Sequence, residues 1–268
     1  MKPINKTKQS IFHLNKFHWS LIFINFSVSI IYIIVYFVVL QPEAGASEWS
    51  VFIFHIAPLI SIGATIANLF CTILLSNRRI QNFYFGIVAV ILFAIIGILT
   101  KNWLIVILNG GYYLVFNTLG IFRWRKHMDN HAEVIEKKIK SAKVFYSIIF
   151  GAIILGVALS FTFAIPAIRS VLGDDEKTGW AYWIKLVLNG TSLMLCIFAM
   201  QLALRAYKEQ WDLWMIANFS VILLWIINIV EFAESENSLA LATSIFTLFT
   251  YTLSTANSIY GYINWKNK

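Results

Sequence analysis

Gly261-Tyr262-Ile263-Asn264-Trp265 closes the last apolar run of the chain, and Gly120-Ile121-Phe122-Arg123-Trp124 closes an earlier one. Both read Gly, three residues, Trp. Basic residues follow each: Lys266 after the later copy, Arg125 and Lys126 after the earlier. A single Gly-x-x-x-Trp match is weak. Its weight depends on what lies upstream of each copy, and so on how the apolar runs are arranged.

There is more apolar side chain than a water-soluble domain of this size can hide. The 268 residues are 59% hydrophobic and 16% aromatic, with only 13% charged and a mean hydropathy of +0.73. Soluble domains average about 45–50% apolar and about 25% charged. The net charge of +8 would suit nucleic acid if it lay on one surface. Instead the lysines and arginines sit between apolar runs, which excludes a nucleic-acid binder and points to a bilayer.

A spanning helix needs about 20 mostly apolar residues. Eight stretches qualify: Trp19–Leu40, Val51–Leu75, Phe83–Leu99, Trp103–Phe122, Val144–Ile168, Trp180–Leu204, Trp211–Val230 and Leu239–Tyr262. The first is too long for a signal peptide and has no small-residue cleavage pattern. Cys71 and Cys196 fall inside spans, so packing is expected of them and a structural disulfide is not.

Basic residues orient the chain. With the N-terminus in the cytoplasm, Lys and Arg crowd the inside segments. Only Lys101, Arg169 and Lys177 lie in outside loops, and Lys185 lies within a span. The outside loops carry Glu43, Glu48, Asp174, Asp175, Glu176, Glu231, Glu234 and Glu236. The expectation is a multi-pass membrane protein with both termini cytoplasmic.

Upstream of each Gly-x-x-x-Trp lie three spans. The first unit covers 51–124 and the second 180–265. Each has a basic turn after its first span, "SNRRIQNFYFG" (Ser76–Gly86) and "LRAYKEQWDLW" (Leu204–Trp214), which align with Asn82 on Gln210. An odd number of spans would invert a bare tandem copy; the span at 144–169 restores the orientation. The fold class is therefore all-α polytopic, 1 + 3 + 1 + 3: a basic tail (1–18), an extra helix (19–40), a three-helix bundle, a charged connector (125–143), a linker helix and a second parallel bundle. Parallel repeats are a transporter architecture with the site at the repeat interface near the midplane.

Spacings of three and four mark one helix face. The second span aligns Ser61, Thr65, Asn68, Thr72 and Ser76. The fourth aligns Asn109, Tyr113, Asn117, Gly120 and Trp124. The sixth gives Lys185, Asn189, Ser192 and Cys196, and the seventh Trp211, Trp214 and Asn218. The eighth gives Thr247, Thr250 or Tyr251, Ser254, Asn257 or Ser258, and Gly261. Serines and threonines on such faces usually serve close helix packing. Amides cost more to bury, and an aromatic face beside one suits a flat heterocycle. The substrate-site candidates are Asn68, Asn109, Asn117, Lys185, Asn189, Trp214, Asn218, Tyr251 and Asn257.

Glu231 and Asp212 fall at the ends of spans and no Asp or Glu falls inside one. Ion coupling commonly uses membrane-embedded carboxylates, so a passive carrier is expected. The chain has no Walker A loop, HExxH, GxSxG or metal-spaced Cys/His cluster, so neither an enzyme nor a cofactor or metal is expected. His127 and His131, four apart in the connector, read as solvated, and the connector as an amphipathic helix on anionic lipid. A sensor would need an output module that the short connector does not offer. Homo-oligomerisation is left open.

"NFYFGIVAVILFAIIG" (Asn82–Gly97), "LGIFRW" (Leu119–Trp124), "RAYKEQWDLWMIAN" (Arg205–Asn218) and the closing Gly-x-x-x-Trp resemble the PnuC family of bacterial nicotinamide riboside transporters. The resemblance covers about Ile60 to Trp265. It implies two three-helix bundles joined by a linker helix, as in SWEET sugar transporters, and facilitated diffusion across the bacterial cell membrane. It also implies trapping by a cytoplasmic kinase, and relatives that carry thiamine, riboflavin or neutral deoxynucleosides. Trp214-x-x-x-Asn218 matches the family's W-x-x-x-N, implying ring stacking and amide hydrogen bonds to substrate. On the sixth span a second W-x-x-x-N corresponds to Lys185-x-x-x-Asn189, with lysine in place of tryptophan.

That lysine has two readings. Pointing inward and charged, it would repel a pyridinium or thiazolium: at an effective dielectric near 20, like charges about 4 Å apart cost roughly 4 kcal/mol. An aromatic face would instead attract the cation by about 0.5–2 kcal/mol. An inward ammonium would thus favour a neutral nucleoside or a flavin. Alternatively the stem snorkels, since Lys185 lies only about 7.5 Å of helix rise beyond Trp180.

Overall fold

The computed structural model describes residues 14–39, 47–99, 103–128, 134–163, 180–235 and 238–266. Residues 1–13, 40–46, 100–102 and 164–179, and His131, lie outside the described residues. Eight helical rods account for nearly all the rest. They are α1 (Lys16–Ile34, continuing as a π-helical turn Val35–Val39), α2 (Glu48–Ser76), α3 (Gln81–Leu99), α4 (Trp103–Val106, π-helical Ile107–Tyr113, then Leu114–Arg125), α5 (Ala142–Phe163), α6 (Trp180–Leu204), α7 (Gln210–Glu234) and α8 (Ser238–Lys266).

Six of these, α1, α2, α3, α5, α6 and α7, are long and apolar enough to cross a membrane. Of the other two, α4 is interrupted by its π-helical stretch and α8 is rich in Ser, Thr, Asn and Tyr. A helix that polar must bury its face among other helices, and α8 packs against α1, α2 and α7. Neighbours in sequence pack together: α2 on α3, α3 on α4, α5 on α6, α6 on α7, α7 on α8. Two longer-range seams tie them, α2 with α8 and α4 with α6.

The two basic turns are built alike. Arg78 and Ala206 are the described non-glycine residues with positive φ, each 58°. Arg79 N–H donates to Leu74 O (2.9 Å), and Tyr207 N–H donates to Leu202 O (2.9 Å). The next helix starts with a side-chain cap in both: Asn82 Nδ2 to Arg79 O (2.6 Å) and Gln210 Nε2 to Tyr207 O (3.0 Å). A left-handed residue with a Cβ costs about 1–2 kcal/mol. At Arg78 the side chain offsets this through Glu136 (2.6 Å) and Asn264 O (3.1 Å). Ala206 has no such contacts. Ala206→Gly is therefore expected to stabilise the protein by about 0.5–1 kcal/mol, read as a higher melting temperature with unchanged uptake.

The connector differs from its sequence reading. Its described part, 134–141, is irregular and not an amphipathic helix, because its backbone groups bond to both turns. Val134 N–H donates to Arg78 O (3.1 Å) and Lys137 N–H to Ala206 O (2.7 Å), while Lys208 N–H donates to Lys137 O (3.0 Å). Ile139 N–H donates to Glu209 Oε1 (3.0 Å). The connector is thus a strap across the basic end of the molecule.

The paired Gly-x-x-x-Trp elements sit under this strap. Gly120 lies flush on the Phe83 ring, and a Cβ on Gly261 would come within 2.6 Å of the Trp211 ring. Four residues on, each tryptophan crosses a seam: Trp124 Nε1 donates to Ala203 O (3.0 Å) and Trp265 Nε1 to Ser76 O (3.1 Å). The motif lets two helices touch and then pins the pair to the turn of the facing helices.

Candidate functional site

The rings of Trp124, Trp211 and Trp265 meet beneath the strap, with centroids of Trp265 6.4 Å from Trp124 and 6.1 Å from Trp211. All three are about 1% exposed. This plug closes the basic end. Trp214, one turn further along α7, is half-buried beside it and its Nε1 has no partner.

Asn218, the next turn of α7, is buried, and its Nδ2 reaches Ser258 Oγ on α8 at 3.3 Å. Asn257 is 0% exposed, and neither its Nδ2 nor its Oδ1 has a hydrogen-bond partner. An orphaned amide among helices is costly, and among the described residues Asn257 is the one with both side-chain polar atoms in that state.

Tyr251 lies about 9 Å of helix rise from Asn257, near Tyr113 and Cys196. Tyr112 OH donates to Ile197 O (3.0 Å) and accepts from Gln201 Nε2 (3.2 Å) across the α4–α6 seam. Tyr112 and Gln201 were not among the sequence candidates. Gln201 is the one glutamine within the eight apolar spans, and that was its available signal.

The remaining candidates are placed differently. Asn117 is buried, donates to Tyr113 O on its own helix (2.8 Å), and fills the space left by Gly86 on α3. Asn109 Nδ2 donates to Ile105 O (3.0 Å), next to the π-helical segment where backbone pairing shifts. Both amides are satisfied within their own helix, and Asn117 also packs α4 against α3. Asn68 is half-buried on α2, and Asn189 is exposed.

Lys185 stands apart from Trp214. Its Nζ is 2.5 Å from Glu231 Oε2. Glu231 is not a loop residue: α7 runs on to Glu234, so this carboxylate lies inside the helix. Asp212 likewise falls in the first turn of α7. From Trp214 to Glu231 the helix rises about 25 Å, so one small solute cannot touch Trp214 and Lys185 together. The charge of Lys185 is matched by Glu231, so it is not an unpaired inward ammonium. Among the described residues no three His, Cys, Asp or Glu gather as a metal site. His127 Nδ1 donates to Arg123 O (2.9 Å).

Residues 58–267 match the family model described as nicotinamide mononucleotide transporter. The chain belongs to this family. It is a family of transporters, not of enzymes. Among curated relatives, the nicotinamide riboside transporter PnuC of Neisseria mucosa is 29% identical over 220 residues, covering 80% of this chain and 74% of that one. The protein of the same name from Haemophilus influenzae is 26% identical over 203 residues, covering 75% of this chain and 76% of its own. That of Escherichia coli is 27% identical over 184 residues, covering 63% and 72%. The crystal structure of the vitamin B3 transporter PnuC superposes with a TM-score of 0.62 at 21% identity, covering 95% of this chain and 92% of that one, so the fold is shared.

Proposed function

We propose that the chain carries nicotinamide riboside across the bacterial cell membrane by facilitated diffusion. Family membership and the names of the relatives support the substrate. The observation that carries the reading is Asn257, a fully buried amide whose donor and acceptor are both free. A primary carboxamide such as nicotinamide's is the complement of those two atoms. Trp214 offers an aromatic face for the pyridinium, and Asn218 sits between them. Neutral deoxynucleosides, riboflavin and thiamine remain comparison substrates. The case for a neutral solute rested on an unpaired Lys185, and the Glu231 pair removes it.

The architecture fits a 1 + 3 + 1 + 3 plan in which α2–α4 and α6–α8 are parallel bundles, α5 links them and α1 is additional. The like-built turns and the seams, first helix of one bundle to last of the other, support a pseudo-twofold relation of the SWEET type. Basic residues at the strap end support a cytoplasmic position for that end and for both termini. With the plug closed there, the site communicates with the outside. Uptake then depends on trapping inside the cell, for which a kinase acting on the nucleoside is the fitting partner.

The test is uptake of labelled nicotinamide riboside into proteoliposomes of purified protein, with thiamine, riboflavin and a deoxynucleoside as competitors. Saturable uptake independent of proton and sodium gradients is expected. Trp214→Ala should weaken half-saturation roughly three- to thirtyfold, the loss of about 0.5–2 kcal/mol of cation–π attraction. Uptake that stops when a cation gradient collapses contradicts the proposal.

A further inference from the structure

We propose that Lys185 and Glu231 set the charge of the entry vestibule and so determine how the carrier ranks cationic against neutral solutes. The inference rests on the nucleoside-carrier reading above and on its orientation. Lys185, Asn189, Ser192 and Cys196 share one face of α6. At its inner end that face is interior, since Cys196 packs against the buried cluster that includes Leu195, Ala199 and Leu213. Ser192 is buried as well. Towards the outside the same face carries an exposed amide, Asn189, and then the ion pair. The lipid side of these turns is marked elsewhere, by exposed Trp180, Trp183 and Ile184. A face that is polar towards the outside and buried against other helices further in fits the wall of an entry path better than a lipid contact.

The pair lies about 25 Å from Trp214 along α7, so a solute passes it before reaching the amides. Its side chains are 18% and 33% exposed, so the pair is in reach of water and of a passing solute. As a pair they present no net charge, and a pyridinium can pass. Leaving either charge alone changes the local potential along the entry path, which alters local concentration of a charged solute and leaves a neutral one unaffected.

The experiment uses two probes of one shape, nicotinamide riboside and its uncharged 1,4-dihydro form, and reads the ratio of their initial uptake rates in proteoliposomes. A ratio does not depend on how much protein is folded. Glu231→Gln should lower the cation-to-neutral ratio about fivefold and Lys185→Gln should raise it about fivefold, both effects shrinking at high salt. The exchanged double variant, Lys185→Glu with Glu231→Lys, should return the ratio to within about twofold of the parent. Single variants that slow both probes equally, or leave the ratio unchanged, overturn the proposal while the carrier reading stands. If the parent protein takes up neither probe, the carrier reading falls and takes this proposal with it.

Discussion

Asn257→Leu is expected to raise the melting temperature of the purified carrier while removing transport. The two effects have one cause. In the parent the amide is fully buried with no partner for its nitrogen or its oxygen. A buried polar group without a hydrogen bond costs about 1–3 kcal/mol in protein mutational data. Leucine has a similar shape and no polar atom, so the cost disappears and α8 packs as before. The same change deletes both groups that would hold a carboxamide. Two net hydrogen bonds are worth about 1–3 kcal/mol together, and a carboxamide forced against leucine is itself left unpaired. Affinity for nicotinamide riboside should fall on the order of a hundredfold or more. Asn257→Asp keeps an acceptor and loses the donor, and should be impaired in both stability and uptake. Thermal unfolding in detergent and uptake in proteoliposomes check the two halves separately. A leucine variant that unfolds at a lower temperature would mean that the amide supports the fold, and the site would have to be sought elsewhere.

The rods were legible because span length and hydropathy are local properties. Trp180–Leu204 was read to the residue, and most other ends lie within a few residues. The exceptions are informative. The seventh apolar run stops at Val230, but backbone pairing continues to Glu234, with Ser235 N–H still reaching Glu231 O at 3.0 Å. Apolarity marks where a helix meets lipid, not where its hydrogen bonds end. That is why Glu231 looked like a loop acid, and why the partner of Lys185 was missed.

Helical spacing says which residues share a face but not which neighbour the face meets. On α4 it does not hold even for the face, since the π-helical segment Ile107–Tyr113 winds more residues into each turn and separates Asn109 from Asn117. Asn117 could have been read better. At the spacing that pairs Asn82 with Gln210, Gly86 pairs with Trp214. The first bundle lacks the tryptophan, and Asn117 occupies the room that the glycine leaves. The orphaned state of Asn257 has no sequence signal at all, because it depends on what α2 and α7 fail to offer it.

Trp265→Ala and Trp124→Ala should each cost roughly 3–5 kcal/mol, the usual range for emptying a fully buried tryptophan site. Both rings are about 1% exposed and both join the aromatic plug. Part of the loss is volume, and part is the indole N–H that each sends across a seam, to Ser76 O and Ala203 O. Phenylalanine at either position should recover most of the packing and none of that bond, leaving about 1–2 kcal/mol unrecovered. In each case the acceptor keeps one other donor, Asn264 Nδ2 on Ser76 O at 2.8 Å and the Ala206 N–H on Ala203 O at 2.9 Å. Trp265→Phe and Trp124→Phe should therefore lose similar amounts of melting temperature, each less than its alanine counterpart. Phenylalanine variants as stable as the parent would mean that ring volume alone matters. The recurrence of Gly-x-x-x-Trp would then reflect helix contact at the glycine, with no pin to the opposing turn.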